Sequence, residues 1–117
     1  MNTLEIENTM QGVPCFIGVF PADKIPPAKG CAKFIVNLDP ANKTGSHWIA
    51  IFRSSNGYAY YFDPLGIPPF GEIKKWLDKN SVLIDYNNVV IQKDFTSCGQ
   101  CCIDFLKFHI PKFIKNL

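Results

Sequence analysis

No apolar run in this chain approaches the roughly 20 residues that a membrane-spanning helix needs, and no secretory leader is recognisable. Charge of one sign is also scarce: 12 basic against 10 acidic residues leave a net +2, too little to mark a nucleic-acid binder. Lys107, His109, Lys112 and Lys115 give the end of the chain a basic bias, which reads as a solvated face. Internal repeats and low-complexity tracts are missing. The five cysteines form an odd count with two adjacent, a poor fit to the disulfide framework of a small secreted domain. A reducing, intracellular setting is the expectation.

What is present describes a globular domain. The 117 residues are 47% hydrophobic, with 10 Phe, enough for one compact domain over residues 1–117 with a core rich in aromatics. Asn2 to Met10 is compatible with a short helix. Strands are expected over Cys15–Phe20, Cys31–Leu38, His47–Arg53 and Tyr58–Asp63, with strand-like runs at Val82–Ile84 and Val89–Ile91. Pro21, Pro26 and Pro27 mark a loop, and Asp39 to Ser46 is a loop by composition. Residues 47 to 52 are apolar on both alternating faces, which predicts a central strand covered on both sides. Ser54-Ser55-Asn56-Gly57 contains an Asn-Gly pair that favours a tight turn. Helical spacing of Ile73, Trp76 and Leu77 predicts a helix over Gly71–Lys79. Cys98, Cys101, Cys102, Phe105 and Phe108 share one face of a helix that Pro111 ends.

The segment Gln92-Lys93-Asp94-Phe95-Thr96-Ser97-Cys98-Gly99-Gln100-Cys101-Cys102 carries the chemistry. Cys98 starts a predicted helix, where the helix dipole and a nearby imidazolium favour the thiolate. With a four-residue loop, Arg53 opposes Tyr58 and His47 opposes Pro64. A one-residue shift of that register puts Asp63 directly opposite His47. A carboxylate there fixes the imidazole tautomer, as in a nucleophile–base–orienter triad. The Cys98 N–H and the Gln92 amide are candidate oxyanion donors, and Gly99 allows substrate backbone to come close. Cys101 and Cys102 read as small buried hydrophobes.

These residues also carry a resemblance. The stretches CFIGVFPADKIP (Cys15 to Pro26), FIVNLDPANKTGSHWIAIF (Phe34 to Phe52), YYFDPLG (Tyr60 to Gly66) and CGQCCIDFLKF (Cys98 to Phe108, with Gln92 upstream) resemble the adenovirus-type cysteine endopeptidases (adenain) and their virus- and transposon-encoded relatives. More distantly they resemble the proteases that process ubiquitin-like proteins. The resemblance implies an α+β, papain-like cysteine-protease fold: a central mixed β-sheet flanked by helices, with the catalytic cysteine at a helix N-terminus. It implies His47 as general base, Asp63 as its orienter, Cys98 as nucleophile, Gln92 in the oxyanion hole and Trp48 beside the substrate. It further implies a monomeric endopeptidase acting on viral or mobile-element precursors, in a host nucleus or a virion, with no metal. A peptide or DNA activator is compatible with it, DNA binding being weak at this net charge. The adenovirus enzymes carry glutamate where this chain has Asp63. No cysteine lies between Asp63 and Cys98, where a disulfide-linked activating peptide would attach. Little chain follows the nucleophile's helix, as in a minimal core.

Two other readings stay open. Cys98-Gly99-Gln100-Cys101 has the Cys-x-x-Cys spacing of a thiol–disulfide oxidoreductase, although that fold needs strands after its redox helix. A protease-fold binding module without activity is the other. A zinc site from Cys98, Cys101, Cys102 and His109 fits poorly, because adjacent cysteines on one helix point in different directions.

Overall fold

Among the described residues, short runs of β-branched and aromatic residues form five strands, and helices cover them. A computed structural model of the chain describes residues 2–38, 47–90 and 98–111. Helix α1 (Thr3–Thr9) is capped by Asn2, whose side chain accepts from the Glu5 N–H at 2.9 Å. Strands β1 (Phe16–Pro21), β2 (Ala32–Asn37), β3 (Trp48–Arg53) and β4 (Tyr58–Phe62) follow. Then come α2 (Gly71–Asn80), β5 (Leu83–Tyr86) and α3 (Cys98–Asp104), which runs on into a π-helical turn, Phe105–His109. The sheet is mixed and its order is the chain order. Its outer pairs, β1–β2 and β4–β5, are parallel and its inner pairs antiparallel.

The central strand is β3, covered on both faces as its sequence predicts. Trp48, Ala50 and Phe52 pack with Ile6, Met10, Cys98, Cys102 and Phe105, under α1 and α3. Ile49 and Ile51 point the other way and pack with Phe34, Tyr61, Ile73 and Leu77, under α2. Each fully buried isoleucine contributes about 1.5–3 kcal/mol relative to an exposed one. Helix α3 is fixed to β4 by stacking of Phe105 on Phe62 (centroids 4.4 Å apart) and on Tyr60 (5.4 Å). It is fixed to β3 by the Cys102 thiol, which donates to the Trp48 carbonyl at 3.3 Å. Arg53 donates to the carbonyls of Asn80 (2.6 Å) and Gly30 (2.8 Å), tying the end of α2 to the sheet.

The structure corrects the sequence reading in four places. The β3–β4 register pairs Arg53 with Ala59 and Ala50 with Phe62, one residue from the expected pairing and in the direction opposite to the shift considered above. The loop holds three residues rather than four. Ser54 faces Tyr58, donating its N–H to the Tyr58 carbonyl at 2.8 Å, and Gly57, at φ 89°, closes the turn with an N–H to the Ser54 carbonyl at 3.0 Å. A positive-φ glycine ending a three-residue loop is the usual way to shorten a hairpin by one position. Val89 and Val90 lie outside any strand, and Ile91 falls outside the described residues. Phe108 is 69% exposed, because the wider π-helical turn rotates it off the buried face, and Ile110 is buried instead.

The fourth correction concerns cysteine. Cys15 and Cys31 form a disulfide with Cα atoms 5.7 Å apart, joining the residues just before β1 and β2. The odd count therefore divides into one bonded pair and the thiols Cys98, Cys101 and Cys102. Spacing alone carried no signal for this pair, since the two cysteines meet only once β1 and β2 lie parallel. The bridge closes a 16-residue separation, for which loop-closure entropy gives about 3 kcal/mol of stabilisation. Adding a thiol reductant, or replacing Cys31→Ser, is expected to lower the melting temperature by roughly 10 °C in scanning calorimetry.

Candidate active site

His47 immediately precedes β3, and its carbonyl accepts from the Leu38 N–H at 3.0 Å, so the β2–β3 ladder holds its backbone. Asp63 immediately follows β4. Continuing the observed register puts Asp63 opposite Ile49, with His47 its diagonal neighbour on the same face. The one-residue difference in register is what gives the two side chains the same facing. The His47 Nε2 lies 3.2 Å from both carboxylate oxygens of Asp63. From the opposite face of the sheet, α3 brings the Cys98 Sγ to 3.7 Å from the His47 Nδ1 at the end of the strands. The imidazole thus bridges a thiol and a carboxylate, one ring nitrogen for each. With the Nε2 proton held by the carboxylate, Nδ1 is the acceptor that faces the thiol.

Asp63 has no solvent exposure, and a carboxylate buried there requires partners. Asp63-Pro64-Leu65-Gly66 forms a turn with proline second, in which the Gly66 N–H donates to the Asp63 carbonyl at 2.8 Å. The Leu65 N–H donates to Asp63 Oδ1 at 2.8 Å. Gly66 has φ 73°, and a Cβ there would meet the Val89 backbone at 3.2 Å, so both conformation and space call for glycine. Asn87 takes the remaining backbone groups of Asp63: its Oδ1 accepts from the Asp63 N–H at 2.8 Å and its Nδ2 donates to the Asp63 carbonyl at 2.6 Å.

The three thiols have different surroundings. Cys98 is buried, and His47 keeps 14% side-chain exposure, so the pair opens to solvent on the imidazole side. Burial pushes the Cys102 thiol well above its ordinary range, and the nearby Cys98, Cys101 and Asp63 charges raise it further. Cys102 is therefore a neutral donor at neutral pH. Cys101 is half-buried and lines a cavity of about 330 Å³ with Phe62, Asp104, Phe105 and His109. Burial, then the Asp63 charge, also pushes the Tyr61 hydroxyl upward, and that hydroxyl has no hydrogen-bond partner among the described residues.

His47, Asp63 and Cys98 are thus brought together, while Gln92 lies outside the described residues. Trp48 is only 3% exposed and packs in the core below the site. Gly99 is buried in the first turn of α3. Asn87 escaped the sequence reading; an asparagine just past a strand-like run was its only signal. Among the described residues, no group of three His, Cys, Asp or Glu could hold a metal ion, and no helix is long and apolar enough to cross a membrane.

No protein-family model matches the chain. It is similar to a protein of Acanthamoeba polyphaga mimivirus named as a thiol protease, with 32% identity over 83 residues, covering 62% of this chain and 28% of that protein. It is also similar to the SUMO-1 cysteine protease of African swine fever virus, with 27% identity over 94 residues, covering 69% of this chain and 33% of the viral protein. The chain thus spans about a third or less of the curated relatives it matches. Among solved structures, the African swine fever virus protease superposes with a TM-score of 0.60 at 16% identity, covering 99% of this chain and 58% of the other. The central domain of an uncharacterized Legionella pneumophila protein gives a TM-score of 0.58 at 17% identity, covering 97% and 81%. The fold is shared with a viral protease, and the sequence is similar to viral thiol and cysteine proteases. The similarity does not single out the adenovirus enzymes.

The thiol environments give a direct expectation. Near pH 7, limited iodoacetamide should modify Cys98 well before Cys102, because a thiol with a raised pKa supplies little thiolate. Fragment-ion mapping of the labelled peptide resolves the two positions, and equal labelling would contradict this account.

Proposed function

We propose that the chain is a cysteine-type endopeptidase domain of papain-like architecture that cleaves peptide bonds in viral or mobile-element protein precursors. The observation that carries this reading is the imidazole of His47 set between the Cys98 sulfur at 3.7 Å and the buried Asp63 carboxylate at 3.2 Å. The Cys98 thiolate attacks the scissile carbonyl carbon, and the oxyanion is received by the Cys98 N–H and Gln92. His47 then protonates the departing amine, leaving a thioester. Water, deprotonated by His47, attacks that thioester and frees the acid and the thiolate. Asp63 stays ionised throughout and holds the imidazole tautomer.

The kinship with a protease named for SUMO-1 makes ubiquitin-like conjugates the second substrate class to test. A small residue such as glycine at the scissile bond is expected for either class. An oxidoreductase using Cys98 and Cys101 gives no role to His47 and Asp63, whose convergence favours hydrolysis.

Cleavage profiling against a peptide library tests the reading. Replacing Cys98→Ala should lower turnover by a factor on the order of 10⁴ or more, while Cys101→Ala leaves most of it. Equal damage from both, accompanied by disulfide reductase activity, would favour the redox chemistry instead. The pH–rate profile should be bell-shaped, reporting Cys98 and His47 as a coupled pair. A flat profile across roughly pH 5 to 9 counts against the mechanism.

A further inference from the structure

The parallel β4–β5 ladder ends at the Tyr61–Tyr86 pair, two residues short of Asp63. Past that point β5 stops, and the Asn87 side chain takes over. Its amide meets the Asp63 backbone on both sides, accepting from the N–H at 2.8 Å and donating to the carbonyl at 2.6 Å. The same Nδ2 also donates to the Val89 carbonyl at 3.2 Å, which ties the amide to its own loop. A primary amide offers a donor and an acceptor side by side, as a strand's peptide groups would. Asn87 thus extends the ladder by one position with a side chain.

We infer that Asn87 is a positioning residue for the proposed hydrolysis, setting the reach of the Asp63 carboxylate toward His47. This rests on the peptidase reading of the site. With its backbone held by Asn87 and by the Gly66 N–H, Asp63 directs its carboxylate to the Leu65 N–H and to the imidazole. Asn87 holds the Asp63 backbone and acts on the imidazole through it. Aspartate at the same position keeps the size but loses the donor. It also sets a second negative charge against the Asp63 carbonyl, so Asn87→Asp should disturb the site at least as much as Asn87→Ala.

The test compares wild type, Asn87→Asp, Asn87→Ala and Leu83→Ala, the last a β5 control away from Asp63. Iodoacetamide alkylation of Cys98 is followed across pH 5 to 9, alongside kcat, KM and thermal unfolding. Both Asn87 variants should lower kcat on the order of 10²-fold with KM nearly unchanged, since a displacement of about 1 Å costs that much. They should also move the alkylation profile to higher pH, because a poorly oriented imidazole no longer supports the thiolate. Leu83→Ala should change neither. Wild-type kcat and an unmoved alkylation profile in both Asn87 variants would overturn the inference. If wild type cleaves no peptide, the peptidase reading fails, and the alkylation profiles still decide whether Asn87 positions the dyad. If neither Asn87 variant folds, amide exchange in the wild type decides. The Asp63 N–H should be as protected as the ladder amides of β4, and fast exchange there would refute the clamp.

Discussion

A carboxylate with no solvent exposure has to be matched contact by contact, and Asp63 imposes that requirement on everything around it. The turn after β4 supplies the Leu65 N–H, the β3 lip supplies an imidazole, and the residue after β5 supplies an amide for the backbone. The start of β3 and the ends of β4 and β5 thus meet at one buried carboxylate. The glycine at position 66 belongs to the same requirement, since a side chain there would press on the Val89 backbone that packs beside the turn.

The thiol arrives from a different direction. Helix α3 lies across the face of β3 that carries Trp48, Ala50 and Phe52, and its position is set by the Phe105 stack and by the Cys102 thiol on the Trp48 carbonyl. Those contacts are ordinary core packing, yet they decide whether the Cys98 sulfur meets the imidazole. Trp48 and Cys102 therefore matter to the site from beneath it. A tryptophan next to the histidine invites a substrate-facing reading, but its burial in the core assigns it to support.

Much of this was legible in the sequence. Apolar residues on both faces of residues 47 to 52 marked the central strand, helical spacing of Ile73, Trp76 and Leu77 marked α2, and the order of His47, Asp63 and Cys98 at element ends marked the cluster. What escaped notice depended on geometry that local pattern does not encode. The loop length turned on a single glycine's φ, and a change of one residue there moves every side chain on β4 to the other face. The Cys15–Cys31 pair depends on two strands lying parallel, and the Asn87 amide on where β5 stops. The phase of Phe108 was lost to a π-helical turn, which the assumption of regular helical spacing conceals.

The match between sheet order and chain order has a temporal consequence. Each strand pairs with its neighbour in sequence, so the sheet needs few long closures to form. A chain emerging from the ribosome N-terminus first exposes the hairpin that joins His47 to Asp63, and β5 with its clamp, before Cys98 leaves the exit tunnel. The closing of α3 onto β3 spans the length from His47 to Cys98. Synthesis order thus leaves the thiol until last, so the dyad forms on a scaffold already in place.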